Sequence, residues 1–424
     1  MGGYRARLIL ALGMVAAVAG LAGPIGPARG LSGSPPPPTP VPPFGSPSPF
    51  PTSLTTPVPS TRPPPLGAPS AELADLDTGQ VLFAKGARVR RPIASLTKIM
   101  TALLALERHD PDQLVVVRAD AASQGGAVLG LRAGERITVR DLAYGMLLSS
   151  ANDAAVALAD SVSGSVPDFV RLMNRRARAL GLRDTEFSSP TGLDDRGYST
   201  ARDLIVLTRA AYADPAFATI VRTKTWDIPS PSGPPRRIQN RNPLLWLYPG
   251  ALGVKTGTTL QAGHCLVAAA SRGGIRAAVV VLGDPVEAFD DVAALLNFGL
   301  LEFRPIVAVS AGRSVGTVGV GGARIEGLAS ADLTVLVRRD RPGIVVRMVR
   351  PVPGLRPPLP AGAVIGWLEV TVDGTPRGRV PVVTAVAVPA TSGPPVPGPS
   401  PSVGAAVLYR LVLALLRALI RAFL

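Results

Sequence analysis

The chain has 424 residues, with 45 Pro, 45 Gly, a net charge of +15 and 4% aromatic side chains; that length accommodates two or three domains and a sizeable core. Scattered basic residues with few aromatics argue against stacking on nucleic acid and suit an anionic surface such as a cell envelope, or simply an Arg-rich proteome. One Cys and two His exclude an internal disulfide, argue against a metal site and leave little room for a Ser-His-Asp triad.

Residues 1–22 read as a secretory signal peptide. Arg5 and Arg7 precede the apolar stretch Leu8 to Ala19, and Ala17-Val18-Ala19 offers a small-x-small cleavage pattern. The stretch is short for a membrane span. Residues 23–70 form a Pro-rich disordered linker, too poor in apolar side chains to bury a core.

Residues 71–305 read as the main domain. Ala71 to Leu76 and Val81 to Phe83 are strands around the turn Asp77-Thr78-Gly79. PIASLTKIMTALLALE, Pro92 to Glu107, follows as a helix. Ser95 and Lys98 share one face of it, a turn apart. The run after Lys98 is apolar nearly all round, so the helix is buried. The partial positive charge of a helix N-terminus favours negative charge developing at Ser95. The chain has four Lys, Lys85, Lys98, Lys224 and Lys255, against forty Arg. Arg stays protonated, whereas a Lys buried near another cation sheds its proton and acts as a base.

Leu129 to Glu135 reads as a loop, and Thr138 to Asp153, Val166 to Leu180 and Thr200 to Ala213 read as helices. Asn242 to Gly253 is turn-rich. Val254 to Thr259 opens a strand with Lys255-Thr256-Gly257. Cys265 to Ala270 and Ile275 to Leu282 form a hairpin across Arg272-Gly273-Gly274, and Val286 to Leu301 is an amphipathic helix. Strands at both ends with helices between predict an α/β (α+β) domain, a sheet covered by helices. Residues 306–390 carry the β-branched runs 333–337, 344–349, 364–372 and 380–388, with a hairpin signal at Asp373-Gly374. They predict a small all-β domain. Residues 391–402 are a second Pro-rich linker.

Residues 403–424 place Arg410, Arg417 and Arg421 on one stripe of an otherwise apolar helix. A spanning orientation would bury Arg417 at a cost of ~2.5–3.5 kcal/mol. An in-plane, amphipathic membrane-anchor helix fits better, with a span or a partner-protein helix as competing readings.

Three motifs occur in order: Ser95-Leu96-Thr97-Lys98, Ser150-Ala151-Asn152 and Lys255-Thr256-Gly257. Each alone is a weak signal. As an ordered set they match penicillin-binding proteins and class A β-lactamases. From about Ala71 to Ala390 the chain resembles the serine-type D-alanyl-D-alanine carboxypeptidases, the low-molecular-weight penicillin-binding proteins (peptidase S11-like). LLSSANDAAVALAD, LGLRDTEFSSPTGLDD, STARDL, GVKTGTTLQAGHCLVAAA and GWLEVTVDG carry the resemblance beside the PIASLTKIM stretch. It implies a penicillin-binding/β-lactamase-like transpeptidase domain with an antiparallel sheet, a trailing β domain and a C-terminal amphipathic anchor.

The residue types fit that chemistry. Ser95 is the candidate nucleophile and Lys98 its base, with Lys255 as the second cation that lowers the Lys98 pKa. Lys255, Thr256, Gly257 and Thr258 lie on a strand edge able to pair with an extended peptide, and Gly257 permits close backbone approach. The resemblance adds that Ser150 relays a proton to the leaving amine and that Asn152 contacts the substrate amide and Lys98. It also gives the oxyanion hole as the backbone N–H groups of Ser95 and Thr258. The expected partners are a peptidoglycan pentapeptide, β-lactams and, through the C-terminal helix, a membrane surface outside the cytoplasm. No nucleic acid, metal or cofactor is expected.

A D,D-endopeptidase, a β-lactamase and a catalytically silent peptidoglycan scaffold are the alternatives. His264 and Cys265 read as structural, and His109 as a capping or surface residue. Glu186 is the only Glu between Asn152 and Lys255. Class A β-lactamases carry an Asn four residues after their deacylating Glu; here that position is Pro190, so Glu186 reads as a strand or loop residue. Gln261 departs from the acidic residue common in the family before the Ala-Gly pair.

Overall fold

The computed structural model describes residues 62–230, 233–286 and 288–390. The expected signal peptide, most of the first linker, the second linker and the C-terminal helix lie outside the described residues.

Five antiparallel strands form the central sheet: β1 Ser70–Asp75, β2 Val81–Lys85, β3 Ala251–Thr259, β4 Gly263–Arg272 and β5 Ile275–Asp284. Their spatial order is β2-β1-β5-β4-β3. Strand β1 pairs with β5, Leu73 opposite Val279, so the two ends of the domain meet in mid-sheet and β3 is left as an edge. Both faces are covered. Leu266, Ala268 and Ala270 pack with Val292, Leu295 and Leu296 on one face, and Val267 and Ala269 join Leu96, Ile99 and Leu104 on the other. Neighbouring residues of a strand point to opposite faces, so a strand buried on both sides reads as a continuous apolar run. Each fully buried Leu or Val contributes ~1.5–3 kcal/mol.

The helices longer than one turn are α1 Lys98–Arg108, α2 Val139–Leu148, α3 Asn152–Ser163, α4 Val166–Ala179, α5 Ala201–Tyr212, α6 Pro215–Arg222 and α7 Ala288–Glu302. Thr138, Ser165 and Thr200 cap α2, α4 and α5 through their hydroxyls, satisfying orphan N–H groups of the first turn. The expected single helix from Thr138 to Asp153 is two helices. Ser150 takes φ 66°, the left-handed conformation that ends a helix, and Ala151 N–H bonds back to the Gly145 carbonyl. The Lys255-Thr256-Gly257 motif lies inside β3 rather than at its start. Asn242 to Gly253 holds a single helical turn, Leu244–Leu247, and the start of β3. Helix α6 and the hairpin Thr225–Ile228 with Arg236–Gln239 fall where no element was expected.

From residue 303 to 390 the described chain is all β: β6 Phe303–Val309, β7 Ser314–Val320, β8 Ala323–Ala329, β9 Leu333–Arg338, β10 Val345–Pro351, β11 Val364–Val372 and β12 Thr375–Thr384. A five-stranded sheet, β7-β8-β12-β11-β10, faces the pair β6-β9 over a core that includes Val335, Ile365, Val370 and Val382. The glycines of β7 and the single alternation of β8 hid those strands from periodicity. Gln80 joins this region to the central sheet: its side-chain amide donates to the Leu336 carbonyl at 2.6 Å and accepts from Leu336 N–H at 2.8 Å, as a strand neighbour would. Among the described residues no single helix is long and apolar enough to cross a membrane.

Candidate active site

Ser95 sits in the 3-10 turn Ala94–Thr97 that runs directly into α1. Ala94 holds φ 46°, a conformation costing a non-glycine residue of order 1–3 kcal/mol. Burial of Ile93, Ala94 and Leu96 in the core offsets it. From Ile93 to Met100, Ser95 is the one residue that is not buried.

Lys98 is fully buried, at 0% exposure. Its Nζ lies 2.9 Å from Ser95 Oγ, 2.8 Å from Asn152 Oδ1 and 2.9 Å from the Thr191 carbonyl oxygen. Burial, and then the charge of Arg241, pull its pKa from the usual lysine range to about 7. Lys255 is buried to 1% exposure and donates to the Thr256 carbonyl. Burial, then Lys98, then Arg241 hold its pKa well below the ordinary value. Sequence reading names Lys255 as the cation that tunes Lys98. In the structure the larger influence on Lys98 is burial, and Arg241, an exposed residue whose backbone N–H bonds the Leu148 carbonyl at the end of α2, adds a second cation; the repulsion between Lys98 and Lys255 is felt at Lys255.

Asn152 opens α3 two residues after the left-handed Ser150, with the extended Ala151 between them. Its Nδ2 donates to the Gly125 carbonyl at 2.8 Å, which directs Oδ1 at Lys98. Strand β3 borders the other side. A Cβ on Gly257 would lie 3.0 Å from Ser95 N and 3.2 Å from Leu96 N, so only glycine lets the edge strand come this close to the serine backbone. Thr256 is half-buried and Thr258 exposed. Thr258 Oγ1 lies 3.4 Å from His264 Nδ1.

The structure thus gathers Ser95, Lys98 and Asn152 by direct bonds. It sets Gly257 against Ser95 and Lys255 within electrostatic reach of Lys98, with Ser150 on the turn leading into Asn152. Sequence reasoning assigned no part to Thr191, Gly125 or Arg241. Two of these act through backbone carbonyls, which no side-chain type advertises. Glu186 is engaged elsewhere, its backbone paired with Tyr198 and its carboxylate accepting from the Tyr198 hydroxyl. Cys265 is buried and its thiol pushed up to about 11 by burial, which suits a packing role. Among the described residues no three His, Cys, Asp or Glu side chains gather to hold a metal.

A family model described as D-alanyl-D-alanine carboxypeptidase matches residues 58–286. The chain is 33% identical to the D-alanyl-D-alanine carboxypeptidase DacF of Bacillus subtilis, over 74% of this chain and 84% of that protein. It is 40% identical to the D-alanyl-D-alanine carboxypeptidase DacB2 of Mycobacterium tuberculosis, over 54% of this chain and 80% of that one. Penicillin binding protein 5 of Haemophilus influenzae superposes with a TM-score of 0.67 at 28% identity, covering 78% of this chain and all of that one.

Proposed function

The chain belongs to the D-alanyl-D-alanine carboxypeptidase family, and on that premise we propose how its own residues carry the reaction. The enzyme is a serine-type carboxypeptidase that removes the terminal D-alanine of peptidoglycan stem peptides and binds β-lactams.

The observation that carries the assignment is the set of three bonds at Lys98 Nζ. A neutral amine has two N–H donors and one lone pair. The Asn152 amide oxygen and the Thr191 carbonyl can only accept, so they take the two N–H groups. The lone pair is left for the Ser95 hydroxyl, which is the arrangement a general base requires. With a pKa of about 7, a large share of Lys98 is neutral near neutral pH.

Ser95 Oγ attacks the carbonyl of the penultimate D-alanine as its proton passes to Lys98. The N–H groups of Ser95 and Thr258 receive the oxyanion, and removing such a donor costs ~10²–10³ in rate. Ser150 passes a proton to the leaving D-alanine amine, and water then hydrolyses the Ser95 ester. Lys255, Thr256 and Gly257 hold the extended peptide along the free edge of β3.

Residues 71–305 are the catalytic domain and 306–390 the β domain of this reading. Residues 1–22 direct the enzyme across the cytoplasmic membrane, and 403–424 attach it peripherally to the outer side. Deleting 403–424 should release it from membranes; retention would make the signal segment the anchor.

Intact-mass spectrometry after penicillin treatment tests the active site. One adduct of the drug's mass, lost in Ser95→Ala, is expected; an adduct that survives the substitution refutes it. A long-lived adduct separates the enzyme from a β-lactamase, and D-alanine release from a monomeric pentapeptide separates it from an endopeptidase.

A further inference from the structure

Asp153, next to the Ser-x-Asn motif, is almost fully buried at 1% exposure, yet no step above uses it. It lies in the first turn of α3, where the helix dipole favours an anion. Its carboxylate faces backwards onto the segment 124–131. Leu129 N–H donates to Oδ1 at 3.0 Å and Oδ2 at 2.9 Å, and Leu131 N–H donates to Oδ2 at 3.1 Å. The same segment touches Asn152 twice more. Asn152 N–H bonds the Ala127 carbonyl at 2.7 Å, and Asn152 Nδ2 bonds the Gly125 carbonyl. At Gly126, φ 76°, a Cβ would lie 3.1 Å from Asn152 Nδ2, so the segment is pressed against that amide.

We propose that Asp153 is a positioning residue of the carboxypeptidase reaction: by pinning Leu129 and Leu131 it fixes the segment whose Gly125 carbonyl sets the orientation of the Asn152 amide, and hence the direction of the Lys98 lone pair. An amide can present either oxygen or NH2 to a neighbour. The Gly125 carbonyl accepts only from NH2, which leaves Oδ1 for Lys98. With that carbonyl displaced, the amide is free to turn its NH2 to Lys98 and occupy the lone pair that Ser95 needs. The inference rests on Lys98 being the base.

The test is Asp153→Asn, read by the second-order rate of acylation with a fluorescent penicillin across pH. The replacement keeps the shape, but its NH2 meets a backbone N–H that the carboxylate accepted. The plateau rate should fall roughly 10²-fold, the size of effect expected from misplacing a reacting group by about 1 Å. The acid limb should move to lower pH, because the ammonium form of Lys98 loses an acceptor. Phe169→Leu, a buried substitution on α4, serves as a stability control and should change neither.

A lowered melting temperature with the wild-type rate and pH limb would make Asp153 structural only and overturn the proposal. Should Asp153→Asn not fold, Gly126→Ala displaces the same segment, and an unchanged limb there also overturns it. If the wild-type enzyme is not acylated at Ser95, or the limb is absent from wild type and variant alike, the reading of Ser95 and Lys98 fails instead.

Discussion

The buried lysine pair Lys98 and Lys255 and the clamp formed by Glu135 and Arg236 both withdraw charge from water, and they do so in opposite ways. Glu135 is buried and meets Arg236 in a two-pronged pair, 2.7 and 2.9 Å. This pair ties the hairpin Thr225–Ile228 with Arg236–Gln239 to the end of the 129–135 loop. Lys98 and Lys255 are buried more deeply and, among the described residues, meet no carboxylate; their neighbours are the Ser95 hydroxyl, amide and carbonyl oxygens, each other and Arg241. Opposite charges in a two-pronged pair lock a geometry. Like charges gathered in low dielectric make protonation costly and leave an amine free to accept a proton. The first arrangement fixes the hairpin against the loop, and the second provides a base at neutral pH.

Four measurements sharpen the contrast, taken from the largest expected effect. Lys98→Arg keeps the positive charge and the N–H donors but supplies no lone pair. Penicillin acylation should fall ~10³-fold, about 4 kcal/mol in the barrier; near wild-type acylation would move the base elsewhere. Arg236→Ala leaves Glu135 without its guanidinium and should cost about 3 kcal/mol of stability, seen in denaturant unfolding. The pH limb of acylation should stay in place, and a shift would mean that the clamp and the cleft are coupled.

Arg241→Ala acts on the cleft alone. Removing a cation makes protonation of Lys98 easier, so its pKa rises from about 7. The acid limb of acylation should move to higher pH, opposite to the shift expected for Asp153→Asn; an unmoved limb would show that Arg241 does not act on Lys98. The smallest effect concerns Glu72, buried in β1 and raised to about 7 by burial, against the pull of Arg202 and Arg88. Its folded pKa exceeds its unfolded one, so the folded state favours the protonated form and stability declines as pH rises from about 4.5 to 7. Glu72→Gln should raise the melting temperature by roughly 2–4 °C at pH 8 and hardly at all at pH 5. Equal shifts at both pH values would refute that origin.

Much of the fold was legible because local rules and tertiary packing agreed. The apolar strands 265–270 and 275–282, the turn at Asp77-Thr78-Gly79 and the capped helices follow from side-chain type and spacing. The β region was half legible. Its last runs are β-branched, whereas Ser314–Val320 has two glycines in seven residues and forms a strand through pairing with Ala323–Ala329. The break at Ser150 was hidden for a related reason. No Pro or Gly marks it, and a serine adopts the left-handed conformation there because the surrounding core holds it.

That Ser95 and Lys98 share a helix face follows from their spacing alone, because three residues span about one turn whatever surrounds them. The order of the three motifs, and with it the family, is likewise read from the chain. How the amine is held follows from the fold. The Asn152 amide, the Thr191 carbonyl and the Gly125 carbonyl come from segments far apart in the chain, and a carbonyl is the same group in every residue. Which carbonyl meets the amine is settled by where the folded core places the backbone, and no side chain at Thr191 or Gly125 announces it.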